Sequence, residues 1–389
     1  MQSFSHRHDV VIVGARAAGA ATSLLLARQG HDVVVVDRDE FPSDTLSTHQ
    51  LARPGVVQLH RWGLLDAVLE SGAPPLRKVH FTAGGESVVR PVKEKAGVDM
   101  LLAPRRHILD ALVIEAAVRA GASVQTGVTI DGVTVDQTGR ATGVHGHDRT
   151  GAPVELAARF VVGADGLGSR VARSLGAEIT EDRGASGAAQ YAYYDGLPWD
   201  GIELIVADRA LTGVFPTHNG EACIWICSPI ADAHQSRREA ATREDAFTSY
   251  LWRVAPTLAE RLWEGRRTSP VRGMLRAPNV IRQASGPGWA LVGDAGYHRD
   301  PVTGHGMSDA YRDAELLADA LDRALYGDQS ALADYQQARD RALRPIFELT
   351  VALAAYPPAP EFVELQKELS RALDAEAFEL ADLSLLAAV

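Results

Sequence analysis

Six residues near the start, Gly14-Ala15-Arg16-Ala17-Ala18-Gly19, set two glycines five apart where a β-branched run, Val10 to Val13, gives way to an Ala- and Leu-rich helical pattern. Such a junction suits anion binding. The free amides of a helix N-terminus point outward and the helix dipole favours negative charge, so a pyrophosphate can sit against Ala15, Arg16 and Ala18. Gly14 permits the tight turn and Gly19 lets the helix lie close to the strand. Arg16 stands where the usual pattern has a third glycine; its Cβ crowds the backbone's approach, and its guanidinium can fork onto phosphate oxygens instead. A second apolar run, Val33 to Val36, ends at Asp37. A carboxylate there accepts from a ribose hydroxyl and repels a 2′-phosphate, which favours FAD or NAD over NADP.

The elements that must position these groups read as a βαβ unit: two wholly apolar strands bracketing a small-residue helix imply a parallel sheet covered on both faces. Residues 41–54 read as loop, and a helical stretch follows through Glu70. The text from Leu101 to Ala122 reads as a helix with apolar positions at Ile108, Leu109, Leu112, Val113 and Ala116, closed by Gly121. Strand-like segments with aromatics run from Ala185 to Ile230; Trp289 to Val292 is a further apolar strand, and a long amphipathic helix starts near Gly306. The remainder is helical, interrupted by Tyr356-Pro357-Pro358-Ala359-Pro360. With 39 Lys and Arg against 50 Asp and Glu, the net charge of −11 repels nucleic-acid backbones and anionic lipid. No run of 18 apolar residues suggests a membrane span. Cys223 and Cys227 lie four apart on one strand, about 13 Å at ~3.3 Å per residue, beyond the ~7 Å limit for a disulfide. They read as buried strand residues, and thrift with cysteine points to a cytoplasmic protein.

Two further segments carry chemistry: Phe160 to Arg170, FVVGADGLGSR, and Leu291 to Met307, LVGDAGYHRDPVTGHGM. Together with GARAAG, and in this order over about the first 325 residues, they resemble the three motifs of FAD-dependent monooxygenases of the para-hydroxybenzoate hydroxylase superfamily, including its geranylgeranyl reductase-like branch. The loop FPSDTLSTH resembles the segment that passes beside the flavin ring in that branch. The resemblance implies non-covalent FAD, with NADH or NADPH as a transient reductant, since no second Gly-rich βαβ unit is present. It implies that Asp294 contacts the ribityl chain, and that Pro301, Gly304, Gly306 and Met307 lead into a helix whose positive end faces the flavin. Asp165, with Gly163 and Gly166, closes on the cofactor, and Arg106 in Arg-x-x-Leu-Asp reaches the flavin side. Arg38 and Arg53 are weaker cofactor candidates, each also readable as a surface or salt-bridge residue.

The implied architecture is α/β. A Rossmann-like FAD-binding domain spans residues 1–180, with interleaved substrate-side segments at about 41–105. An inserted antiparallel β-sheet substrate lobe follows at 181–275, the FAD domain resumes at 276–330, and C-terminal helices occupy 331–389. Tyr191, Tyr193, Phe215, His218 and Trp225 are candidates to line a substrate pocket on the lobe, each also readable as core. His49 and His305 are the titratable groups expected near the ring, although the resemblance identifies no catalytic acid or base. The implied reaction is hydroxylation or epoxidation of a small apolar or aromatic substrate with O2 through a flavin C4a-hydroperoxide. Alternatives are an alkene reductase of the geranylgeranyl reductase type, a flavin halogenase, or a flavin-binding protein without turnover. No HExxH, CxxC or Ser-His-Asp signature appears, and no metal is expected.

Overall fold

The computed structural model describes residues 6–47 and 50–383. Val10 to Val13 lie in a strand, Arg7–Val13, that pairs in parallel with Val33–Asp37 on one side and Pro153–Gly163 on the other. Alternation along it sends Val10 and Ile12 to one face and Val11 and Val13 to the opposite face. The first pair packs with Leu24, Leu109, Val113, Ala314 and Leu317, all from helices. The second pair packs with Val133, Val144, Val171 and Ala172. Both faces are therefore covered, which is why the strand has no polar alternation to show in sequence. The sheet has eight strands. Its path runs Ser285–Gly286, Trp289–Leu291, Pro153–Gly163, Arg7–Val13, Val33–Asp37, Ser123–Thr126, and a hairpin of Thr129–Val135 and Ala141–His147 joins it through Pro153–Gly163.

Helices Ala17–Arg28, Arg106–Arg119 and Gly306–Leu325 supply the covering layer on the first face. The middle of these is where the apolar spacing from Leu101 onward placed a helix.

The lobe is a second sheet of nine strands, and it differs from the expected one in two respects. Its path begins with Tyr297–His298 and Arg272–Arg282, passes through the long strand Ile179–Asp195, and ends at Lys78–Ala83 and Glu86–Pro91. The Lys78–Pro91 hairpin falls in the substrate-side segment expected at about 41–105, whereas Arg272–Arg282 and Tyr297–His298 carry the sheet past residue 275. Ile202–Ala207 also runs parallel to Lys78–Ala83, so the sheet is mixed rather than antiparallel. A parallel pair joins segments distant in sequence, and short alternating strands carry no signal for that partner.

Three helices, Ile230–Glu239, Arg243–Val254 and Pro256–Leu262, lie within the span read as sheet. Phe247, Tyr250, Leu251, Leu258 and Leu262 from the last two cover the lobe face that carries Tyr194, Val214 and Ile224. Thr242 and Asp245 form a reciprocal capping box at the start of Arg243–Val254. The opposite face, with Tyr191, Tyr193, Phe215, Cys223 and Trp225, packs on Leu353, Tyr356, Phe362 and Leu369 of the C-terminal region. Both cysteines are free and buried, and burial pushes their thiols well above the ordinary range. Two long helices close the chain, Ala331–Leu353 and Ala359–Asp382, separated where the paired prolines fall. Among the described residues no helix is long and apolar enough to cross a membrane.

Candidate cofactor site

A cavity of about 580 Å³ runs along the carboxyl ends of the parallel strands and reaches the lobe. That volume falls within the range of ligand pockets, roughly 300 to 1,000 Å³. Gly14, Arg16, Ala18, Asp37 and Asp165 line one part; Leu46, Ala189, Tyr191 and Met274 line another. Gly14 holds φ +102°, and a Cβ there would press into the Ala164 carbonyl. A Cβ on Gly19 would overlap the Gly14 carbonyl oxygen, so the helix can approach the turn only through glycine. The Ala15 N–H donates to Asp37 Oδ2 (2.7 Å) and the Asp39 N–H to Asp37 Oδ1 (2.8 Å). The carboxylate is thereby fixed at the cavity wall, and each oxygen retains capacity for a further donor. Burial raises its pKa despite these two bonds.

Arg16 lines the cavity, but its guanidinium is committed elsewhere. Nη1 donates to the Ser43 carbonyl (3.1 Å) and Asp110 (3.3 Å), and Nη2 to Asp39 (3.0 Å) and Ser43 Oγ (3.1 Å). It also sits over the Phe41 ring. The side chain clamps the loop after Asp37 to the nucleotide turn, a job the expectation of a phosphate-side cation did not include. Asp110 receives Arg106 through two bonds of 3.0 Å as well, so one buried carboxylate organises two arginines of the wall. Arg16→Ala frees the loop and leaves Asp110 with a single partner. FAD affinity should fall about tenfold, equivalent to ~1.4 kcal/mol, and equilibrium dialysis reads it directly.

Other expected residues separate. Arg38 is at the rim with its side chain exposed. Arg53 does not line the cavity and follows its other reading, a salt-bridge residue: its guanidinium turns to Asp374 (3.1 Å) and the Val98 carbonyl (2.7 Å), tying the last helix to the body. Asp165 lines the cavity and caps the short helix Arg170–Ser174, accepting from the backbone N–H of Arg170 (2.6 Å) and from Ser169 Oγ (2.6 Å). Asp294 occupies a 3-10 turn after the strand Trp289–Leu291 and lines the cavity with its side chain exposed there. Pro301, Gly304, Gly306 and Met307 line it too, and Gly306 opens the 20-residue helix, so free amides face the space.

On the lobe, Tyr191 reaches the cavity, whereas Tyr193, Phe215, His218 and Trp225 are not among its lining residues. Phe215 and Trp225 stack on one another at 5.0 Å inside the core. Tyr193 carries the Arg105 guanidinium on its ring, 3.8 Å from the centroid. His218 bonds Ser71 Oγ (3.0 Å) and accepts from the Arg105 N–H (3.2 Å); burial, with the charges of His107 and Arg105, pushes its pKa down to about 4. Aromatic residues on a strand face that is covered by helices are core, and the sequence did not reveal that cover. His49 lies outside the described residues. His305 lines the cavity and is fully buried.

Sequence reasoning missed Met274, Arg299, Asp300 and Asp309, which also line the cavity. Asp300, beside Pro301 in the motif, is 1% exposed, accepts from the Val302 N–H (3.0 Å), and has its pKa pushed up to about 6 by burial. A raised folded pKa means that the native state holds the extra proton between the unfolded value, about 3.9, and about 6. Stability therefore falls as pH rises through that window, by up to roughly 3 kcal/mol. Asp300→Asn should raise Tm at pH 8 and lose that advantage near pH 4. A Tm difference that is the same at both pH values would contradict this account.

The FAD binding domain family matches residues 7–350 of the chain. The chain belongs to that family. Its cofactor is FAD, and this flavoprotein's cavity fits the group: a tight turn and close helix packing that glycine alone allows at positions 14 and 19, free helix amides at two termini, and an acceptor at Asp37. The flavoprotein is 30% identical over 331 residues to menaquinone reductase of Mycobacterium tuberculosis, covering 81% of this chain and 76% of that one. It is 27% identical over 385 residues to kynurenine 3-monooxygenase of Salinispora tropica, covering 89% and 79%. Among solved structures, PqsL of Pseudomonas aeruginosa, described as a probable FAD-dependent monooxygenase, superposes with a TM-score of 0.79 at 25% identity, over 93% of this chain and 100% of that one. The protein is an FAD-dependent oxidoreductase.

Proposed function

We propose that this flavoprotein is a monooxygenase that uses NADH or NADPH and O2 to hydroxylate or epoxidise a small apolar or aromatic substrate. The observation that carries this reading is that one cavity joins the nucleotide turn at Gly14 to a wall of Ala189, Tyr191 and Met274 from the lobe and Leu46 from the loop after Asp37. A substrate on that wall shares its space with the cofactor. Bound FAD, once reduced, would supply the electrons and the activation of oxygen. The chain's own residues do the rest: Asp37 and the amides at Arg16 to Ala18 bind the nucleotide, Asp294 and the Pro301–Met307 turn hold the other half, and the lobe wall orients the substrate and excludes water.

The similarity to kynurenine 3-monooxygenase over 385 residues supports an aromatic substrate. So does PqsL, which has been crystallised with 2-aminobenzoylacetate. A second reading, an alkene reductase, is favoured by the 30% identity to menaquinone reductase and by 24% identity to digeranylgeranylglycerophospholipid reductase of Methanocella arvoryzae. The two part on oxygen. Stopped-flow reduction of the bound FAD by NADH and NADPH under argon, against a panel of aromatic and isoprenoid compounds, should find aromatic compounds that speed reduction without being converted. Conversion of an isoprenoid alkene under argon would establish the reductase reading instead.

A further inference from the structure

The family match ends at residue 350, yet the last helix, Ala359–Asp382, reaches back to the cofactor cavity through one side chain. Glu376 Oε2 accepts from His305 Nε2 at 2.7 Å, and Glu376 Oε1 accepts from Arg312 at 2.8 Å. His305 is the N-cap residue of the Gly306–Leu325 helix and lines the cavity; Arg312 lies on that same helix. The contacts continue inward. Arg312 also donates to Asp309 (2.9 Å), Asp313 (2.8 Å) and the Tyr297 hydroxyl (2.9 Å), and Arg299 pairs with Asp309. Arg299 and Arg312 supply the cations for these carboxylates, and Arg299, His305 and Asp309 all stand on the cavity wall.

A carboxylate only accepts, so Nε2 of His305 carries a proton and the plane of its ring is set by Glu376. Nδ1 of His305, buried, has no partner among the described residues. Burial opposes charge on Glu376, but His305 and Arg312 outweigh it and hold the carboxyl well below its ordinary range. A buried ionic cluster of this kind adds little net stability compared with an apolar core. Its location on the wall, directly before the helix whose amides face the cavity, gives it another use.

We propose that Glu376 is a positioning residue for the FAD site: from a helix beyond the family-matched region, it fixes the orientation of His305 and with it the Gly304–Met307 wall. This rests on the assignment of the cavity to FAD. The ring of His305 is held from behind, and the turn around it is held in register with the helix.

The test is a double-mutant cycle read in FAD affinity and flavin absorbance, using the full chain reconstituted with FAD. Glu376→Gln and His305→Gln should each raise the FAD Kd about tenfold and alter the shape of the bound flavin's visible band. The double variant should be no weaker than either alone, because both remove one connection; independent effects would multiply to about a hundredfold. Glu376→Asp keeps the charge but withdraws it from His305, so it should move in the same direction if Glu376→Gln does not fold. An unchanged Kd and spectrum in a folded Glu376 variant, or a multiplicative double variant, overturns the proposal. Wild-type protein that binds no FAD would instead overturn the cofactor assignment, a different result.

Discussion

Gly19→Ala should leave the protein folded but nearly free of FAD, with a Kd raised about a hundredfold. The added Cβ would occupy the space of the Gly14 carbonyl oxygen and crowd the Ala164 side chain, and neither the turn nor the strand behind it is a flexible side chain that can move aside. Relief requires the helix Ala17–Arg28 to shift away from the strand Arg7–Val13, which costs roughly 1 to 3 kcal/mol as overpacking and displaces the amides that face the phosphates. Gly14→Ala should be at least as damaging, since its φ of +102° adds backbone strain to a clash with the Ala164 carbonyl. FAD content after gel filtration, normalised to protein, reads both effects; full occupancy in either variant would show that the turn does not hold the nucleotide.

Asp294→Ala is the second large effect, a loss of about 10- to 150-fold in FAD affinity for a charge-assisted hydrogen bond of ~1.5 to 3 kcal/mol. Asp294 follows a fully buried strand, lies in a short turn, and exposes its carboxylate to the cavity. Arg106 on the adjacent wall feels its charge. Asp37→Ala should cost less in ribose contact, but it also strips the Ala15 N–H of its acceptor, so part of its effect will appear in the stability of the apoprotein. Titration of apoprotein with FAD separates the two variants.

These two predictions concern the part of the molecule that sequence makes legible. Gly14, Asp37 and Asp294 sit at or just past strand ends and Gly19 in the first turn of the helix that follows, where local spacing alone decides what a residue can face. The arginines were harder. Arg16 and Arg53 have long side chains whose direction depends on partners such as Asp39, Asp110 and Asp374, up to hundreds of residues away in sequence. The lobe was harder still, since Tyr191 and Tyr193 share a strand face and only the first reaches the cavity. Alternation assigns a face, but which length of that face is covered depends on the C-terminal helices. The helix Arg243–Val254 did leave a signal, a Thr242-to-Asp245 capping box followed by Ala246, Phe247, Tyr250 and Leu251 at helical spacing. The parallel pairing of Ile202–Ala207 with Lys78–Ala83 left none.

Glu376 belongs to the same class as Asp374: a charge on the outer helix whose partner is settled only by tertiary structure. Both tie Ala359–Asp382 to the body, Arg53 through Asp374 and His305 through Glu376. The helix is thus joined to the cofactor domain at two points two residues apart.

In the proposed reaction, electrons from NADH or NADPH pass through FAD and one atom of O2 ends in the product. Turnover under ¹⁸O2 in ordinary water, with a compound found to speed flavin reduction, tests it most directly. Mass spectrometry of the product should find one ¹⁸O atom incorporated per molecule. A product that carries two added hydrogens and no ¹⁸O, formed equally well under argon, would contradict the claim.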